Sequence, residues 1–369
     1  MKKIINSLLI ITLLASLITL TACTGSAGSG ESQPDSTEKK LITDILGREV
    51  EIPGSVSKVA VTGVGALRLY AYSADLEKLA GVEAVEHEDA PGRPYTQINQ
   101  ELFRSLPAIG QGGPNGGNDP EKILAVSPDV IFTTYENPDE LQSTLGIPVI
   151  AIGYGANGLF DEQVYQSLNI IGEVMGTQEK AETAVSYMQS CEKDLKERTE
   201  NIETEGRAQA YVGALGSKGA KGIESTRGGF VIFDSLNVDN VADETGKTGS
   251  LMIDKEQLLV WDPEFIFLDL GGLVHVKEDY RNNKEFYGSL SAFRDHKVYG
   301  QLPYNFLTTN IDTAMVNAYF TGKTLYPEAF ADLDPEEKAD EIYETLLGKP
   351  FYQQMKDTFG GFGPLESLD

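Results

Sequence analysis

The chain has 369 residues, of which 41% are apolar and 23% charged, and its formal net charge is −26. This length and composition indicate a folded protein large enough for two domains, and they exclude a disordered chain or one embedded in a membrane. The strong negative charge also makes nucleic acid and anionic membrane surfaces poor partners.

The first 22 residues have the composition of an export signal. A basic start, MKK, is followed by an almost entirely apolar run from Leu8 to Leu20, and LTA directly precedes Cys23. The apolar run is too short for a comfortable transmembrane helix. A cysteine directly after Leu-Thr-Ala resembles the bacterial lipobox, which implies cleavage before Cys23 and a lipid anchor on its sulfur. The alternative is an ordinary signal peptide with an incidental cysteine.

Residues 23–40 are rich in Ser, Gly, Thr and Glu and lack apolar periodicity, so they predict a flexible tether. Removal of residues 1–22 takes away two lysines and no acid, which leaves 28 basic and 56 acidic residues and a net charge of −28. Such a charge favours a cationic docking partner. The other cysteine, Cys191, lies on an apolar stripe typical of a buried helix face, and no structural disulfide is expected.

Strand and helix patterns alternate in the first half of the chain. The predicted elements are a hairpin at 41–53, strands at 58–62, 79–82, 129–133 and 148–152, and helices at 66–73, 120–127 and 141–145. A Gly-rich loop at 111–118 precedes the second of these helices. The strand–helix–strand order predicts a mostly parallel sheet with right-handed crossovers.

One pattern occurs twice in the chain. EKILAVSPDVIF begins at Glu121 and EQLLVWDPEFIF begins at Glu256. Each copy predicts a short surface helix ended by a proline, which cannot continue a helix, and then a buried strand of a parallel sheet. Asp119 and Asp254 are the predicted N-caps, and the two glutamates lie in first turns, where the helix dipole favours an anion. The duplication predicts two similar α/β lobes.

A long helical region separates the two copies. Asp161 opens an amphipathic helix, Gly176 ends it, and Thr177 begins a second helix that runs to about Ile202. At 1.5 Å per residue this second helix would be about 36 Å long, which is enough to pass from one lobe to the other. In the second half the predicted strands are 208–212, 265–270 and 298–300, the helices 230–236, 311–320 and 336–347, and the loops 213–229 and 271–280, with a short element of unassigned type at 284–293.

Together the lipobox, the two lobes, the long helix and the repeat E-x-[IL]-L-x-x-x-P-[DE]-x-I-F resemble the substrate-binding lipoproteins of ABC importers. The resemblance is to the branch that carries iron–siderophore complexes, haem or cobalamin. TDILGREVEIPGSVSKVAV near the start and GQLPYNFLTTNID and GKTLYPEAF near the end extend it over the chain from residue 41. It implies a TroA-like, class III periplasmic binding protein that acts as a monomer. The implied α/β fold has two Rossmann-like lobes with mostly parallel sheets, at 41–160 and 204–369, joined by a single long bridging helix within 161–203.

The resemblance also implies a role for the two glutamates of the repeat. In this family each lobe offers a surface glutamate to arginines of the membrane permease, which works with an ATPase, and by position these are Glu121 and Glu256. Exposed carboxylates give steering and register more than raw affinity. The alternative is that each glutamate only stabilises its own helix dipole. If the glutamates face the permease, the ligand loops are expected at the opposite ends of the strands.

Ligands of open parallel sheets bind beyond the carboxyl ends of the strands. The loops there combine glycines, which let backbone amides approach a ligand, with tyrosines and cationic side chains. The candidate ligand-binding residues are Tyr135, Asn137, Tyr154, Lys221, Arg227, Tyr304 and Asn305. Arg227 and Lys221 are the positive charges expected to face the ligand, and a packing role is the alternative for each residue.

A metal that arrives already chelated is the expected ligand. His87, His275 and His296 are widely separated and lack the spacing of a site for bare zinc or manganese. The resemblance implies an iron complex such as a ferric siderophore or haem, or else cobalamin, and Tyr304 is the first candidate for a tyrosinate ligand of haem iron. Some relatives bind molybdate or tungstate, and Gly-rich amide nests with Arg227 would suit such an oxyanion. No catalytic cofactor is expected.

An exported hydrolase is the alternative of a different class. The sequence has no G-x-S-x-G elbow, no H-E-x-x-H and no paired-cysteine metal motif. Acidic residues such as Glu136 and Asp139 carry little weight as catalysts in so acidic a chain. The sequence therefore favours a binding protein over an enzyme.

Overall fold

A computed structural model describes residues 39–216, 219–365 and 368. The predicted signal peptide at 1–22, the anchor at Cys23 and most of the tether lie outside the described residues. Lys39 and Lys40, predicted to end the tether, instead begin a strand, because KKLIT pairs along its whole length with EVEIP. No helix in the described ranges is both long enough and apolar enough to cross a bilayer.

The first lobe is built on a four-stranded parallel sheet with a hairpin beside it. The hairpin strands are β1 (Lys39–Thr43) and β2 (Glu49–Pro53), and the sheet strands are β3 (Val59–Thr62), β4 (Leu79–Gly81), β5 (Val130–Thr133) and β6 (Val149–Ala151). The sheet order is β4-β3-β5-β6. Every residue of β3, β5 and β6 is buried, which explains why their sequences are continuous apolar runs rather than alternating patterns.

Five helices accompany this sheet. They are α1 (Ala66–Ser73), α2 (Pro94–Ile98), α3 (Gln100–Ser105), α4 (Pro120–Val126) and α5 (Pro138–Leu145). The sequence predicted α1 with its observed bounds, but it missed α2 and α3, which have only five and six residues and so show no helical periodicity. Helix α4 confirms the prediction for the first repeat, since Asp119 accepts a hydrogen bond from the amide of Lys122 and the helix ends before Pro128.

Two antiparallel helices connect the lobes, α6 (Glu162–Met175) and α7 (Gln178–Thr199). Helix α7 has 22 residues and is therefore about 33 Å long. It packs on α1 of the first lobe and on two helices of the second lobe, α13 (Ile311–Leu325) and α14 (Pro335–Leu347). The long bridging helix predicted from the sequence is therefore present, three residues shorter at its C-terminus than expected.

The second lobe contains a five-stranded sheet and a separate two-stranded ribbon. Its strands are β7 (Gln209–Gly213), β8 (Ser225–Gly228), β9 (Asp239–Asn240), β10 (Gly249–Met252), β11 (Phe265–Asp269), β12 (Val298–Gln301) and β13 (Gly363–Pro364). The sheet order is β13-β12-β11-β7-β9, all parallel except β13, while β8 and β10 form the antiparallel ribbon. The sequence analysis placed β8 within the loop 213–229 and assigned no element to β10, because STRG is polar and GSLM is too short to show a strand pattern.

The remaining helices of the second lobe are mostly short. They are α8 (Val231–Asp234), α9 (Lys255–Trp261), α10 (Leu273–Asn282), α11 (Lys284–Ser289), α12 (Ser291–Arg294) and α15 (Tyr352–Phe359). The prediction of a loop at 271–280 is wrong, because α10 forms there although it fully buries only Val276. Helix α9 confirms the second repeat, but the predicted cap is wrong: the Asp254 side chain accepts no capping hydrogen bond.

The main hydrophobic core runs through both lobes. It includes Val59 and Phe132 of the first sheet, Met188 of α7, and Val212 and Phe267 of the second sheet. Two smaller clusters cover the other face of each sheet. One layer of helices therefore packs on both sheets and holds the lobes together through continuous apolar contact.

Candidate ligand-binding cleft

Loops at the carboxyl ends of the strands from the two sheets meet between the lobes. Gly65, after β3, lies against the second lobe so closely that a Cβ there would be 2.5 Å from the Cγ2 of Thr308. Arg227 of the ribbon donates to the carbonyl of Ala156 in the first lobe at 3.4 Å. The space bounded by these loops is the candidate ligand-binding cleft.

Arg68 holds a loop of the second lobe from within the first lobe. Its guanidinium is fully buried and donates to the carbonyls of Phe306 at 3.0 Å, Leu307 at 3.2 Å and Thr309 at 2.8 Å. It also donates to the hydroxyl of Tyr154 at 3.0 Å. Burial lowers the pKa of Arg68, but neighbouring tyrosines and an aspartate outweigh that effect, so the pKa is raised and the charge is retained. This residue ties the two sides of the cleft together.

The loop that Arg68 holds is conformationally unusual. Leu307 and Thr308 both have positive φ, at 51° and 63°, a region that β-branched and bulky residues rarely occupy. The bonds to Arg68 offset the cost of that backbone, which is of the order of 1–3 kcal/mol for each such residue. They also fix Phe306, whose side chain remains 48% exposed.

Phe306 lies beneath a second buried arginine. The guanidinium carbon of Arg93 is 5.3 Å from the centre of the Phe306 ring. Arg93 also donates to the carboxylate of Glu86 at 3.0 Å, and Tyr95 and Thr96 donate to the same carboxylate. The arginine charge is thus neutralised inside the first lobe, and the aromatic ring is left as an apolar surface of the cleft.

Tyr135 and Glu83 form the polar part of the first-lobe wall. The half-buried Tyr135, two residues after the end of β5, donates its hydroxyl hydrogen to the Glu83 carboxylate at 2.8 Å. Glu83 follows β4 and lies beneath the Gly-rich loop, where a Cβ on Gly112 would be 2.7 Å from the Cβ of Glu83. Burial raises the pKa of Glu83 and the pKa of Tyr135. The sequence predicted Tyr135 for the cleft but missed its partner.

Tyr304, Arg227 and Asp269 are electrostatically coupled at the second-lobe wall. Tyr304 is buried and packs on Phe230 with ring centres 6.3 Å apart. Its pKa is raised by burial, lowered by the Arg227 charge and raised by Asp269. Asp269 ends β11, accepts from the amide of Gly271 at 2.8 Å, and has a pKa raised by burial to about 7.

Of the other four predicted ligand-binding residues, two are hydrogen-bonded within the protein and two are at least partly exposed. The Asn305 amide donates to the carbonyl of Gly216 at 2.7 Å, so it shapes the cleft wall. The Tyr154 hydroxyl donates to the Gly65 carbonyl and is buried, which leaves its polar tip occupied within the protein. Lys221 is half-buried in the loop before the ribbon, and Asn137 is exposed at the start of α5.

Glu121 and Glu256 lie at the same edge of the sheets as the loops predicted to bind the ligand, so the prediction that they lie at opposite ends is wrong. Helix α4 leads directly into β5, and its last turn lies at the amino edge of the sheet, where Asp129 accepts from the amide of Lys58 at 2.9 Å. Its first turn is therefore at the carboxyl edge, beside the Gly-rich loop and the cleft. Because α9 precedes β11 in the same way, exposed Glu121 and Glu256 both lie on the face where the cleft opens.

Two cavities in the described part of the protein lie away from the cleft. One of about 490 Å³ lies where α7, α13 and α14 meet, and another of about 860 Å³ lies between the hairpin and α5. Neither includes a predicted ligand residue, whereas the cleft gathers aromatic and charged groups from both lobes. Within the described ranges, no three His, Cys, Asp or Glu side chains form a group that could hold a metal ion.

The sequence profile of the periplasmic binding protein family, Peripla_BP_2, matches residues 69–301. The chain belongs to this family. The match includes β4, β5 and β6 of the first sheet, the bridging helices, and every strand of the second sheet except β13. Both the family that the sequence resembles and the predicted fold class are therefore confirmed. The fold has two α/β lobes with mostly parallel sheets and a long helix between them.

Individual relatives agree with this assignment. The molybdate-binding protein MolA of Haemophilus influenzae is 23% identical over 332 residues, which cover 83% of this chain and 90% of MolA. The structure of MolA bound to molybdate aligns over 84% of this chain and 98% of MolA, with a TM-score of 0.64 and 21% identity. A periplasmic solute binding protein of Veillonella parvula has a TM-score of 0.68 at 17% identity, covering 87% of this chain and 97% of that one.

A shorter match links the chain to a lipoprotein. The uncharacterized ABC transporter substrate-binding lipoprotein YvrC of Bacillus subtilis is 22% identical over 219 residues, which cover 58% of this chain and 66% of YvrC. The periplasmic binding protein described here is the extracytoplasmic substrate-binding component of an ABC transporter. Such proteins bind small ligands and work with a permease and an ATPase, and they are solute-binding proteins in function.

Proposed function

We propose that this protein captures a chelated metal in the inter-lobe cleft, most simply an anionic iron complex such as a ferric siderophore or haem, and delivers it to the permease. The observation that carries the proposal is the half-exposed Phe306 ring, in a loop that Arg68 holds at the boundary between the lobes. An aromatic face suits the apolar periphery of an organic chelate. Arg227 and Lys221 supply positive charge for its anionic groups.

Molybdate or tungstate is the second candidate ligand. Similarity to MolA over most of both chains supports it. Glycines of the loop at 111–118, such as Gly113 with positive φ and Gly117 with open space beside it, would let backbone amides approach a small oxyanion, with Arg227 as the counter-charge. In this case Phe306 would contribute little, because a bare oxyanion has no apolar surface.

Calorimetric titration of the mature protein with hemin, a ferric catecholate and sodium molybdate separates the two candidates. Bound metal and the absorption spectrum of the protein as purified give a first indication. If the ligand is a chelate, Phe306→Ala weakens its binding by about tenfold or more, the scale of one lost aromatic contact. Phe265→Ala is the matched control, because its ring also lies under a cation, Lys297, but at the amino edge of β11. Tight molybdate binding unchanged by Phe306→Ala would select the oxyanion.

We also propose that Glu121 and Glu256 dock the protein on its permease, and that a lipid on Cys23 anchors it to the membrane. Both glutamates are exposed in the first turns of α4 and α9. Glu121→Gln with Glu256→Gln should slow association with the permease and reduce its salt dependence without changing ligand affinity. Glu179→Gln, an exposed first-turn glutamate of α7, is the control. Unchanged association of the double variant would disprove the docking role.

A further inference from the structure

Each docking helix exposes apolar side chains next to its glutamate. On a helix the residues at i+3 and i+4 are neighbours of residue i. Leu124 and Ala125 therefore lie beside Glu121, and both are exposed, Leu124 to 47%. The buried face of α4 is formed by Ile123 instead.

The second repeat has the same arrangement with a larger apolar part. Leu259 and Val260 follow Glu256 at i+3 and i+4, and they are 37% and 77% exposed. Helix α9 buries its other face through Leu258 and Trp261. Met252, in the strand just before this helix, is a further exposed apolar side chain, 66% exposed.

Folding of the lobes does not account for these exposed residues. Both helices are seven residues long and already bury their inner faces, so the outer leucines add nothing to the core. Leucine is usually buried, and a single exposed leucine needs no explanation. Here the same acid–leucine face occurs in matching register on both lobes, with the glutamate in the first turn of each helix and the apolar side chains one turn further along it.

We propose that these acid–leucine faces, Glu121-Leu124-Ala125 and Glu256-Leu259-Val260, are the two contact points for the permease. This inference rests on the proposed docking role of the glutamates. Each face would receive a basic side chain of the permease beside an apolar one, because a carboxylate and a leucine are neighbours on the helix. The charged part sets the rate of encounter, and the apolar part, once desolvated, sets the residence time. The second lobe carries the larger apolar contact and is the stronger of the two.

Association of the full-length protein with its cognate permease–ATPase complex in nanodiscs tests this division of roles. We expect Leu259→Ser with Val260→Ser to raise the dissociation rate about tenfold or more, and Leu124→Ser to raise it less. The association rate and its salt dependence should stay unchanged. Leu46→Ser is the matched control, because Leu46 is 61% exposed but lies at the tip of the hairpin.

The outcomes separate this inference from the docking proposal on which it rests. If the glutamate variants slow association but the leucine variants dissociate at the wild-type rate, the acid–leucine inference is wrong and glutamate docking stands. If neither set changes either rate, both are wrong. Ligand titration and circular dichroism of every variant check that the lobes remain folded, and Leu259→Ala provides a milder substitution if the serine variants unfold.

Discussion

Arg68 in the first lobe and Asp269 in the second are both buried at the carboxyl edge of their sheets, yet they bond to opposite kinds of main-chain group. Arg68 donates to three carbonyls of a loop that belongs to the other lobe. Asp269 accepts from the amide of Gly271, within its own lobe. One buried charge therefore links the lobes, whereas the other shapes a single wall of the cleft.

The two groups also differ in how burial affects their charge. The pKa of Arg68 is raised despite burial, so it stays cationic, whereas burial raises the pKa of Asp269 to about 7 and brings its titration into the neutral range. The residue that links the lobes therefore keeps its charge across the neutral range, whereas the charge on Asp269 in the second-lobe wall changes within that range.

Removal of the Arg68 guanidinium should have the largest effect. Arg68→Met leaves the carbonyls of Phe306, Leu307 and Thr309 without their donor, and we expect a loss of about 3–5 kcal/mol in the free energy of unfolding. Hydrogen exchange should rise selectively at residues 305–310. Arg48→Met is the control, because Arg48 bonds only within the first lobe, to Asp44, Asp139 and the Val149 carbonyl. Equal exchange of the loop in the two variants would contradict a link through Arg68.

Replacement of Asp269 by asparagine should change the pH dependence of stability. The pKa of Asp269 in the folded protein, about 7, lies above the ordinary value of 3.8. Ionisation of this group therefore destabilises the folded state as the pH rises from 3.8 to 7, and the loss is complete above pH 7. The wild-type protein should therefore lose about 3 kcal/mol of its free energy of unfolding between pH 5 and pH 8 through this group, and the Asp269→Asn variant should not. Urea unfolding at the two pH values measures this, with Asp254→Asn, an exposed aspartate, as the control. A constant difference between variant and wild type would rule out this titration.

Substitution of the N-cap residues of the two repeats should give the smallest difference in thermal stability. Asp119 accepts from the amide of Lys122 and pairs with the Lys122 ammonium at 2.7 Å, whereas the Asp254 side chain makes no capping bond. Asp119→Ala should therefore lower the Tm slightly, and Asp254→Ala should lower it less. Calorimetry of both variants checks the order. An equal or larger effect of Asp254→Ala would contradict the difference between the repeats.

The sequence predicted the scaffold well because its signals are local and repeated. Continuous apolar runs marked the buried strands, and the prolines at 128 and 263 marked where α4 and α9 end. Elements with weak local signals were missed: β8 is polar, β10 has only four residues, and α10 buries a single residue completely. The predicted lobe boundaries and the assigned roles of the site residues remain predictions.

The cleft was predicted only in part, because its walls depend on contacts between distant segments. Tyr135 and Arg227 could be chosen as polar residues in loops after strands. The partners that decide their environment, Glu83 and Asp269, could not be chosen in a chain with 56 acidic residues. The one available signal was Arg68, a lone charge in the apolar helix sequence ALRLYAYS, which indicates a buried and bonded side chain.

The left-handed residues Leu307 and Thr308 have a consequence for ligand affinity. Because Arg68 already holds this loop in its strained conformation, a ligand that contacts Phe306 does not have to order it. Binding then avoids the entropy loss that a mobile loop would impose, and a rigid wall of this kind gives affinity by preorganisation. The same rigidity would slow spontaneous dissociation of the ligand, so that release would depend on the interaction with the transporter.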